Sequence, residues 1–216
     1  MTSVTAVPAT VPAPGPLTGY PAAAAIVDVR GAAVDDAEEV FATLGVPQVW
    51  AGGYAGGPSA RWRDLDAARA WLASADRTPI GGRQAYVVRL AADSDLGARG
   101  TLVGTTSLAE WSLPDERVHL GWTAYGPAYW GTVVNPATKL LVLGHAFDDC
   151  GFGRVKIQTD LINTRSQAAI ARLGAMREGV LRRHMARPDG TWRDTVVFSV
   201  LRDEWPEVRA GLVVRL

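Results

Sequence analysis

The sequence has one cysteine, two lysines and no long hydrophobic run. The single cysteine among its 216 residues, Cys150, excludes an internal disulfide and suits a reducing compartment. No apolar run reaches the roughly 18 residues that a membrane-spanning helix needs. Basic and acidic residues number 22 each, which gives a net charge of zero. We therefore expect neither a nucleic-acid nor a membrane partner, because neither would be attracted by net charge.

The first 24 residues are rich in proline and alanine. They have no basic residue before their apolar part, and prolines interrupt that part, so they make a poor signal peptide. They also offer no amphipathic face to bury. We therefore predict that residues 1–24 are a flexible tail, dispensable for folding, and that residues 25–216 form one cytoplasmic domain.

Hydrophobic periodicity and turn residues divide the rest of the chain into alternating helices and strands. The order predicts a mixed α/β fold with an antiparallel meander in its middle. Asp35 is predicted to cap the first helix, and a mobile loop with Trp50 and Tyr54 is predicted over 49–57. Helices are expected over 35–45, 64–76, 136–150 and 163–174 with a short one at the C-terminus, strands over 26–32, 84–92, 100–111, 117–125 and 154–161, and a hairpin that turns at Asp189-Gly190.

One stretch, "PAYWGTVVNPATKLL" (127–141), reads as a glycine-containing loop that enters a helix. Asn135 can cap that helix and Pro136 suits its first turn. Such a loop can bind a phosphate through backbone amides at the helix N-terminus. Val133 and Val134 are unusual there, because a loop that lies close to a phosphate favours glycine over β-branched residues.

Four stretches in order resemble the GNAT N-acetyltransferase superfamily, and most closely its branch of bacterial N-terminal acetyltransferases of ribosomal proteins. The resemblance covers roughly residues 28–207 and implies an α/β fold, a single GNAT domain. Its sheet would be mixed, mostly antiparallel and twisted, with about seven strands flanked by about four helices. The stretches are "LVGTTSL" with "HLGWTAY", "AYWGTVVNPATKLLVLGHAF", "TDLINTRSQAAIARLGAMREGVLRRHM" and "DGTWRDTVVFSVLRDEW".

The resemblance implies an acyl-CoA-dependent N-acyltransferase. Acetyl-CoA would be the co-substrate, no metal would be needed, and a primary amine on a small molecule or a protein N-terminus would attack the thioester directly. The alternative is a non-catalytic binding protein with a degenerate coenzyme loop, which three departures from the family pattern favour: Val133, Ile170 in place of a tyrosine, and His119 in place of a glutamate. A larger donor such as succinyl-CoA would need a basic residue near the acyl end, and the sequence singles out none. A homodimer through the terminal strands is plausible.

The resemblance also implies which residues contact the coenzyme. The family's loop pattern falls on Ala128, Gly131 and Val133, and we predict that the Val133 side chain faces the protein interior. The expected contacts come from the fourth strand, the loop and the helix after the fifth strand: Trp122, Thr123, Ala124, Trp130, Gly131, Thr132, Val133, Val134, Asn135, Asn163 and Ser166.

The chemistry requires a proton acceptor for the amine and a donor for the leaving thiolate. His119 and Glu110 are the leading candidates for the base, with Glu116 and solvent as alternatives. Ser166 is the candidate donor, although Asn163 and Ser166 also suit simple helix capping. The acceptor pocket is predicted to involve Trp50, Tyr54, Trp111 and His184, and most of the eight tryptophans must belong to the core.

Overall fold

The computed structural model describes residues 8–75 and 81–216, in which seven strands form one sheet. This confirms the predicted α/β fold and the expected number of strands. The strands are β1 (Val27–Gly31), β2 (Arg83–Leu90), β3 (Leu102–Ser112), β4 (Arg117–Tyr125), β5 (Arg154–Asp160), β6 (Met176–Ala186) and β7 (Trp192–Leu201). Their order across the sheet is β1-β2-β3-β4-β5-β7-β6, and every neighbouring pair is antiparallel except β4 with β5.

The described ranges contain seven α-helices, more than the four or so expected. The two shortest have four and five residues: α1 (Pro21–Ala24) lies in the predicted tail, and α3 (Pro47–Ala51) overlaps the start of the predicted mobile loop. None of the helices in these ranges is both long and apolar enough to cross a membrane. The helices are α1 (Pro21–Ala24), α2 (Ala37–Leu44), α3 (Pro47–Ala51), α4 (Leu65–Ala73), α5 (Val134–Gly144), α6 (Thr164–Ala171) and α7 (Trp205–Val213).

Helices cover both faces of the sheet, and alternate strand residues pack against them. On one face, which we call the α5 face, Leu108 and Leu120 belong to the same buried cluster as the side chains of α5 and α7. On the other, the α2 face, Val87 and Leu102 pack with α2, α3 and α4. Because successive strand side chains point to opposite faces, the register decides which face each polar residue reaches.

The start of α2 differs from the prediction. A 3₁₀ turn over Val34–Asp36 precedes the helix, which begins at Ala37. Asp36 rather than Asp35 is the buried carboxylate of this turn, and its Oδ2 accepts the Ala33 N–H at 2.9 Å. Asp36 takes this position because Arg89 and Arg30 both bind its Oδ1 at 2.9 Å.

The parallel ladder between β4 and β5 is short. It pairs Arg117–Leu120 with Arg154–Ile157, and beyond that point the two strands part. β5 stays paired with β7 as far as Asp160, whereas β4 stays paired with β3 through a bulge at Trp122, whose φ is 49°. A bulge bends its strand and strengthens the local twist. The result is a gap between two strands inside the sheet, which we call the strand opening.

The N-terminal segment from residue 8 onward is packed against the domain, so the prediction of a flexible tail is wrong for residues 8–24. Leu17 is 6% exposed, and its N–H donates to the Val29 carbonyl on the edge strand β1 at 2.9 Å. Further back, the Ala13 N–H donates to His145 Nε2 at 3.0 Å. The segment has no amphipathic pattern because it is held by a strand edge and a helix end. The first seven residues of the predicted tail lie outside the described residues.

Replacing Leu17 with alanine separates a packed segment from a flexible one. Burial of the leucine predicts that Leu17→Ala lowers the free energy of unfolding by about 2–4 kcal/mol, measured by chemical denaturation. Val214→Ala is the control, because Val214 is 87% exposed and its loss should cost well under about 1 kcal/mol. Equal, small effects of the two substitutions would restore the flexible-tail interpretation.

Candidate active site

The strand opening exposes one edge of β4. From Gly121 to Tyr125, β4 pairs with β3 but has no partner strand on the side of β5. Trp122, Thr123 and Ala124, which were predicted to contact the coenzyme, all lie along this edge. A strand edge with unpaired N–H and C=O groups can accept an extended ligand as if it were another strand.

A buried lysine fixes this part of β4 to α5. Lys139 is 5% exposed, and its Nζ donates to Thr123 Oγ1 at 2.7 Å. The Thr123 hydroxyl lies 2.8 Å from that of Thr106 on β3. Burial lowers the pKa of the Lys139 amine to about 7, since no carboxylate among the described residues pairs with it. Lys139 is not among the site residues predicted from the sequence, although its position inside an apolar helix was a signal.

The loop before α5 presents backbone amides to solvent. Gly131 is exposed with φ of +78°, a conformation that favours glycine. Within the described ranges, the amides of Gly131, Thr132 and Val133 donate to no protein acceptor. They lie directly before the N-terminus of an 11-residue helix, where the helix dipole also favours an anion. This arrangement fits a coenzyme pyrophosphate.

Two expectations about this loop are corrected by the structure. Asn135 is not the cap of α5, because the helix begins at Val134, two residues earlier than predicted, and Val133 occupies the N-cap position. It is Val134 that is completely buried, whereas Val133 is half-buried and does not face the interior fully. The backbone of Val133 has φ of −66° and ψ of −13°, which β-branched residues adopt without strain. Glycine is therefore needed at 131 but not at 133.

The start of α6 lies across the opening from β4. Asn163 caps this helix, because its Oδ1 accepts the Ser166 N–H at 2.9 Å. The Ser166 hydroxyl takes no part in the cap and bonds to no other side chain or backbone group in the described part of the chain. Ile170, in the family's tyrosine position, is buried in the core at 6% exposure and cannot donate a proton.

An arginine and a tryptophan join the two sides of the opening. The Arg165 guanidinium of α6 lies 3.6 Å from the centre of the Trp130 ring, close enough for a cation–π contact. Trp130 is itself anchored, because its Nε1 donates to the Tyr125 carbonyl at 2.8 Å. Trp130 therefore forms a fixed wall of the opening next to the amide-rich loop.

On the α2 face, the strand register aligns polar residues beside the point where the strands part. Arg83 pairs with Ala109, Ala109 with His119, His119 with Lys156, and Lys156 with Ser199. We call these five positions, four of which carry polar side chains, the polar row. His119 is 4% exposed and lies over Gly121, where a Cβ atom would approach Nε2 to 2.7 Å. Glycine at 121 therefore makes room for the imidazole.

Glu110, at a second β-bulge with φ of 51°, reaches into this row. Its Oε2 accepts from Lys156 Nζ at 2.7 Å, and its Oε1 lies 3.4 Å from His119 Nδ1. His119 and Lys156 together hold the pKa of the Glu110 carboxyl at about 2, so Glu110 is ionised at neutral pH. The structure thus brings two of the predicted base candidates together. It places Glu116 elsewhere, 3.3 Å from Arg202 Nη2.

His119 is the member of this group with unused proton-accepting capacity. Burial lowers the pKa of its imidazole below the ordinary value of 6.5, so the ring is neutral at pH 7. Neither ring nitrogen has a hydrogen-bond partner among the described residues. A buried polar group without a partner is costly, which indicates that a substrate or solvent group completes it.

The residues predicted to line the acceptor pocket lie in different environments. Trp50 is 2% exposed with its Nε1 bonded to the Leu44 carbonyl, and Trp111 is 1% exposed in the core of the α5 face, so the prediction that they line a pocket is wrong. Their bulk is used to fill the core. Tyr54 is partly buried with its ring centre 5.1 Å from that of Trp50, and its contact with the acceptor stays a prediction. His184 is exposed on β6, 3.0 Å from Thr195 Oγ1.

Comparison with known proteins decides the family. The profile of the acetyltransferase (GNAT) domain matches residues 27–176. The chain belongs to the GNAT acetyltransferase family. A structure from T. thermophilus, provisionally described as an acetyltransferase, is 34% identical with a TM-score of 0.72, over 88% of this chain and 94% of that one. No match was found among curated proteins.

More distant GNAT structures share the fold. A GCN5-related N-acetyltransferase from Brucella melitensis is 22% identical with a TM-score of 0.79, over 96% of this chain and 87% of that one. Mycobacterium smegmatis RimJ, in complex with CoA-disulfide, is 19% identical with a TM-score of 0.69, over 88% and 90% of the two chains. The GNAT membership makes this chain an acyl-CoA-dependent N-acetyltransferase in general terms. In the described ranges, no three His, Cys, Asp or Glu side chains are grouped to hold a metal ion.

Substitutions at 131 and 133 test the loop geometry. Gly131→Ala should weaken acetyl-CoA binding about tenfold, because a left-handed φ costs other residues roughly 1–2 kcal/mol. Val133→Gly should change the affinity less than about threefold, since valine is unstrained there and glycine only adds entropy to the loop. Isothermal titration with acetyl-CoA measures both. A tenfold gain in Val133→Gly would show instead that valine obstructs the phosphates.

Proposed function

We propose that the chain transfers an acetyl group from acetyl-CoA directly to a primary amine, with His119 as the proton acceptor. The amine belongs to a small molecule or to a protein N-terminus. The observation that carries the proposal is a buried, neutral imidazole that makes no hydrogen bond among the described residues and whose Nδ1 has only a 3.4 Å contact with Glu110, located one residue before β4 and β5 stop pairing. A proton acceptor is needed there, at the exposed edge of β4.

The amine must be deprotonated before it attacks. A lysine-like ammonium has a pKa of about 10, so the neutral His119 ring receives its proton directly or through water. The ionised Glu110, 3.4 Å from His119 Nδ1, stabilises the imidazolium that results. Lys156 holds Glu110 in place through its 2.7 Å bond and keeps that carboxylate from serving as the base itself.

The other two requirements concern the thioester. As the amine nitrogen bonds to the carbonyl carbon and the carbon–sulfur bond breaks, negative charge develops first on the carbonyl oxygen and then on sulfur. The unpaired edge of β4 around Trp122–Ala124 offers backbone N–H groups for the oxygen. The Ser166 hydroxyl, which makes no contact in the helix cap, is available to donate to the thiolate.

The departures that favoured a non-catalytic protein are compatible with catalysis. Val133 has an ordinary backbone conformation, so it needs no glycine. Because Ile170 occupies the tyrosine position, that donor is absent, but Ser166 near the start of the same helix, α6, is still available as a donor. His119 replaces a carboxylate base with an imidazole. The loop amides before α5, without acceptors in the described ranges, support retained coenzyme binding.

The direct test is a pair of assays on the full chain. Acetyl-CoA should raise the melting temperature, because a ligand that binds only the folded state stabilises it. Release of free coenzyme A, followed by its thiol, should then depend on an added amine from a panel of small amines and peptides, with the acetylated product identified by mass. A chain that binds no acetyl-CoA would contradict the proposal.

His119 determines the expected pH dependence. Only the neutral ring accepts a proton, and burial lowers its pKa from 6.5, so activity should be nearly full at pH 7 and fall as the pH drops through a value below 6.5. His119→Gln should reduce kcat/KM by about 10²–10⁴-fold and abolish this acid limb. Glu116→Gln is the control and should keep the wild-type profile. An unchanged profile in His119→Gln would assign the proton to another acceptor.

Ser166→Ala tests the thiolate donor. The cap of α6 uses the Ser166 amide and the Asn163 side chain, so loss of the hydroxyl should leave stability unchanged. If the hydroxyl donates to sulfur only as the bond breaks, kcat should fall about tenfold or more while the Kd for acetyl-CoA stays constant. Wild-type turnover in the variant would remove Ser166 from the mechanism.

A further inference from the structure

Arg83, at the start of β2, carries a positive charge without a carboxylate partner in the described residues. It forms no ion pair there, unlike Arg89 on the same strand, which pairs with Asp36. Its guanidinium lies 4.5 Å from the ring centre of Trp71 and 5.5 Å from that of Trp122. Nη1 donates to Ser74 Oγ at 3.2 Å and Nη2 to the Trp71 carbonyl at 3.1 Å. These contacts fix the guanidinium without neutralising it.

Two buried side-chain donors in this region make no hydrogen bond of good geometry in the described residues, although the Thr105 side chain lies near one of them, the Tyr54 hydroxyl. Arg83 Nε is buried and unpartnered, and so is the hydroxyl of Tyr54. The two side chains belong to one aromatic cluster on the α2 face: Tyr54 packs on Trp50, and the rings of Trp62 and Trp71 continue the contacts to the Arg83 guanidinium. Burial raises the pKa of the Tyr54 phenol to about 12, so it keeps its proton and remains a donor. Since both unpartnered groups donate, the group that would complete them is an acceptor, and beside a cation an anionic oxygen fits best.

The position of this pair links it to the reaction. Trp122, which the Arg83 guanidinium approaches, is the bulge residue on the unpaired edge of β4. The imidazole of His119 also approaches the Trp122 ring, with the centres 5.2 Å apart. An anion bound at Arg83 would therefore lie on the same face of the sheet as the proton acceptor, next to the same indole.

A second arginine on this face differs from Arg83. Arg193 on β7 also has a buried Nε without a partner in the described ranges. Its charge, however, is balanced in part by the buried Asp160, which Arg187 binds at 2.7 Å. Arg83 has no such carboxylate nearby in the described part of the chain, and its guanidinium lies 4.5 Å from the ring centre of Trp71 and 5.5 Å from that of Trp122. The stronger anion site is therefore at Arg83.

We propose that Arg83 and Tyr54 bind a carboxylate of one of the two substrates, next to the reacting group. This inference rests on the proposed function. The carboxylate can come from the acceptor, as in a free amino acid or an acidic peptide N-terminus, or from the acyl chain of the donor, as in succinyl-CoA. Both sources place one carboxylate near the guanidinium, and the experiment separates them.

The first arm measures the donor. Isothermal titration compares acetyl-CoA with succinyl-CoA on the full chain. The second arm measures the acceptor with acetyl-CoA, by coenzyme A release, and compares free L-amino acids with their carboxamides and the peptide Asp-Ala-Ala with Asn-Ala-Ala. We expect the carboxylate-bearing compound to be preferred at least tenfold in one arm, in Kd or in kcat/KM.

Variants connect the preference to this site. Arg83→Gln should reduce the preference to within about threefold, and Tyr54→Phe, which removes only a hydroxyl, should reduce it in part. Arg69→Gln is the matched control, because Arg69 is half-exposed on α4 and pairs with Asp66. It should keep the full preference. If Arg83→Gln does not fold, Tyr54→Phe alone tests the site, and a full wild-type preference in that variant would overturn it.

The outcomes separate this inference from the proposed function. Binding of acetyl-CoA and acetylation of amines without any carboxylate preference would overturn the carboxylate site and leave the acetyltransferase proposal intact. A preference that survives in Arg83→Gln would also overturn it. Failure to bind acetyl-CoA at all would contradict the proposed function itself. If no carboxylate-bearing acceptor is acetylated, and acetyl-CoA and succinyl-CoA bind with equal Kd, the carboxylate site is also overturned.

Discussion

The end of hydrogen bonding between β4 and β5 is the constraint on which the other features of the site depend. Past Leu120 and Ile157, each strand keeps its other neighbour, so the sheet stays intact while a gap opens inside it. An unpaired strand edge in a sheet interior is costly unless a ligand completes it. The gap is supported from one side by Lys139 bonded to Thr123, and is bridged by Arg165 on Trp130. These contacts fix the positions of the two walls of the gap.

Unsatisfied polar groups are concentrated on one face of the sheet, beside this gap. The charges that have a structural role are paired: Glu110 with Lys156, and Asp160 with Arg187. By contrast, neither nitrogen of His119 makes a hydrogen bond in the described residues, although the ring is almost completely buried. A buried group left without a partner weakens folding, so such groups persist where a substrate completes them. The proposed proton acceptor and the proposed carboxylate site rest on this same reasoning.

Part of the site could be predicted from the sequence because it follows from local chain signals. Gly131 before an apolar helix indicated an amide-rich loop, and Asn163 with Ser166 indicated a capped helix start. Lys139 and Arg83 were missed, because a lone lysine in a helix or an arginine at a strand start has many ordinary roles. Their importance comes from neighbours distant in sequence: Thr123 for the lysine, and two tryptophans for the arginine.

The sequence by itself determined the family, the succession of elements and several boundaries, including β4 over Arg117–Tyr125 and the hairpin turn at Asp189-Gly190. These depend on periodicity and turn chemistry, which act over a few residues. Tertiary structure decided the rest. A proline-rich N-terminal segment without amphipathic pattern is ordered by the edge of β1. Register alone decided that His119 faces the opening while Trp111 fills the core, because a shift of one residue would exchange the two faces.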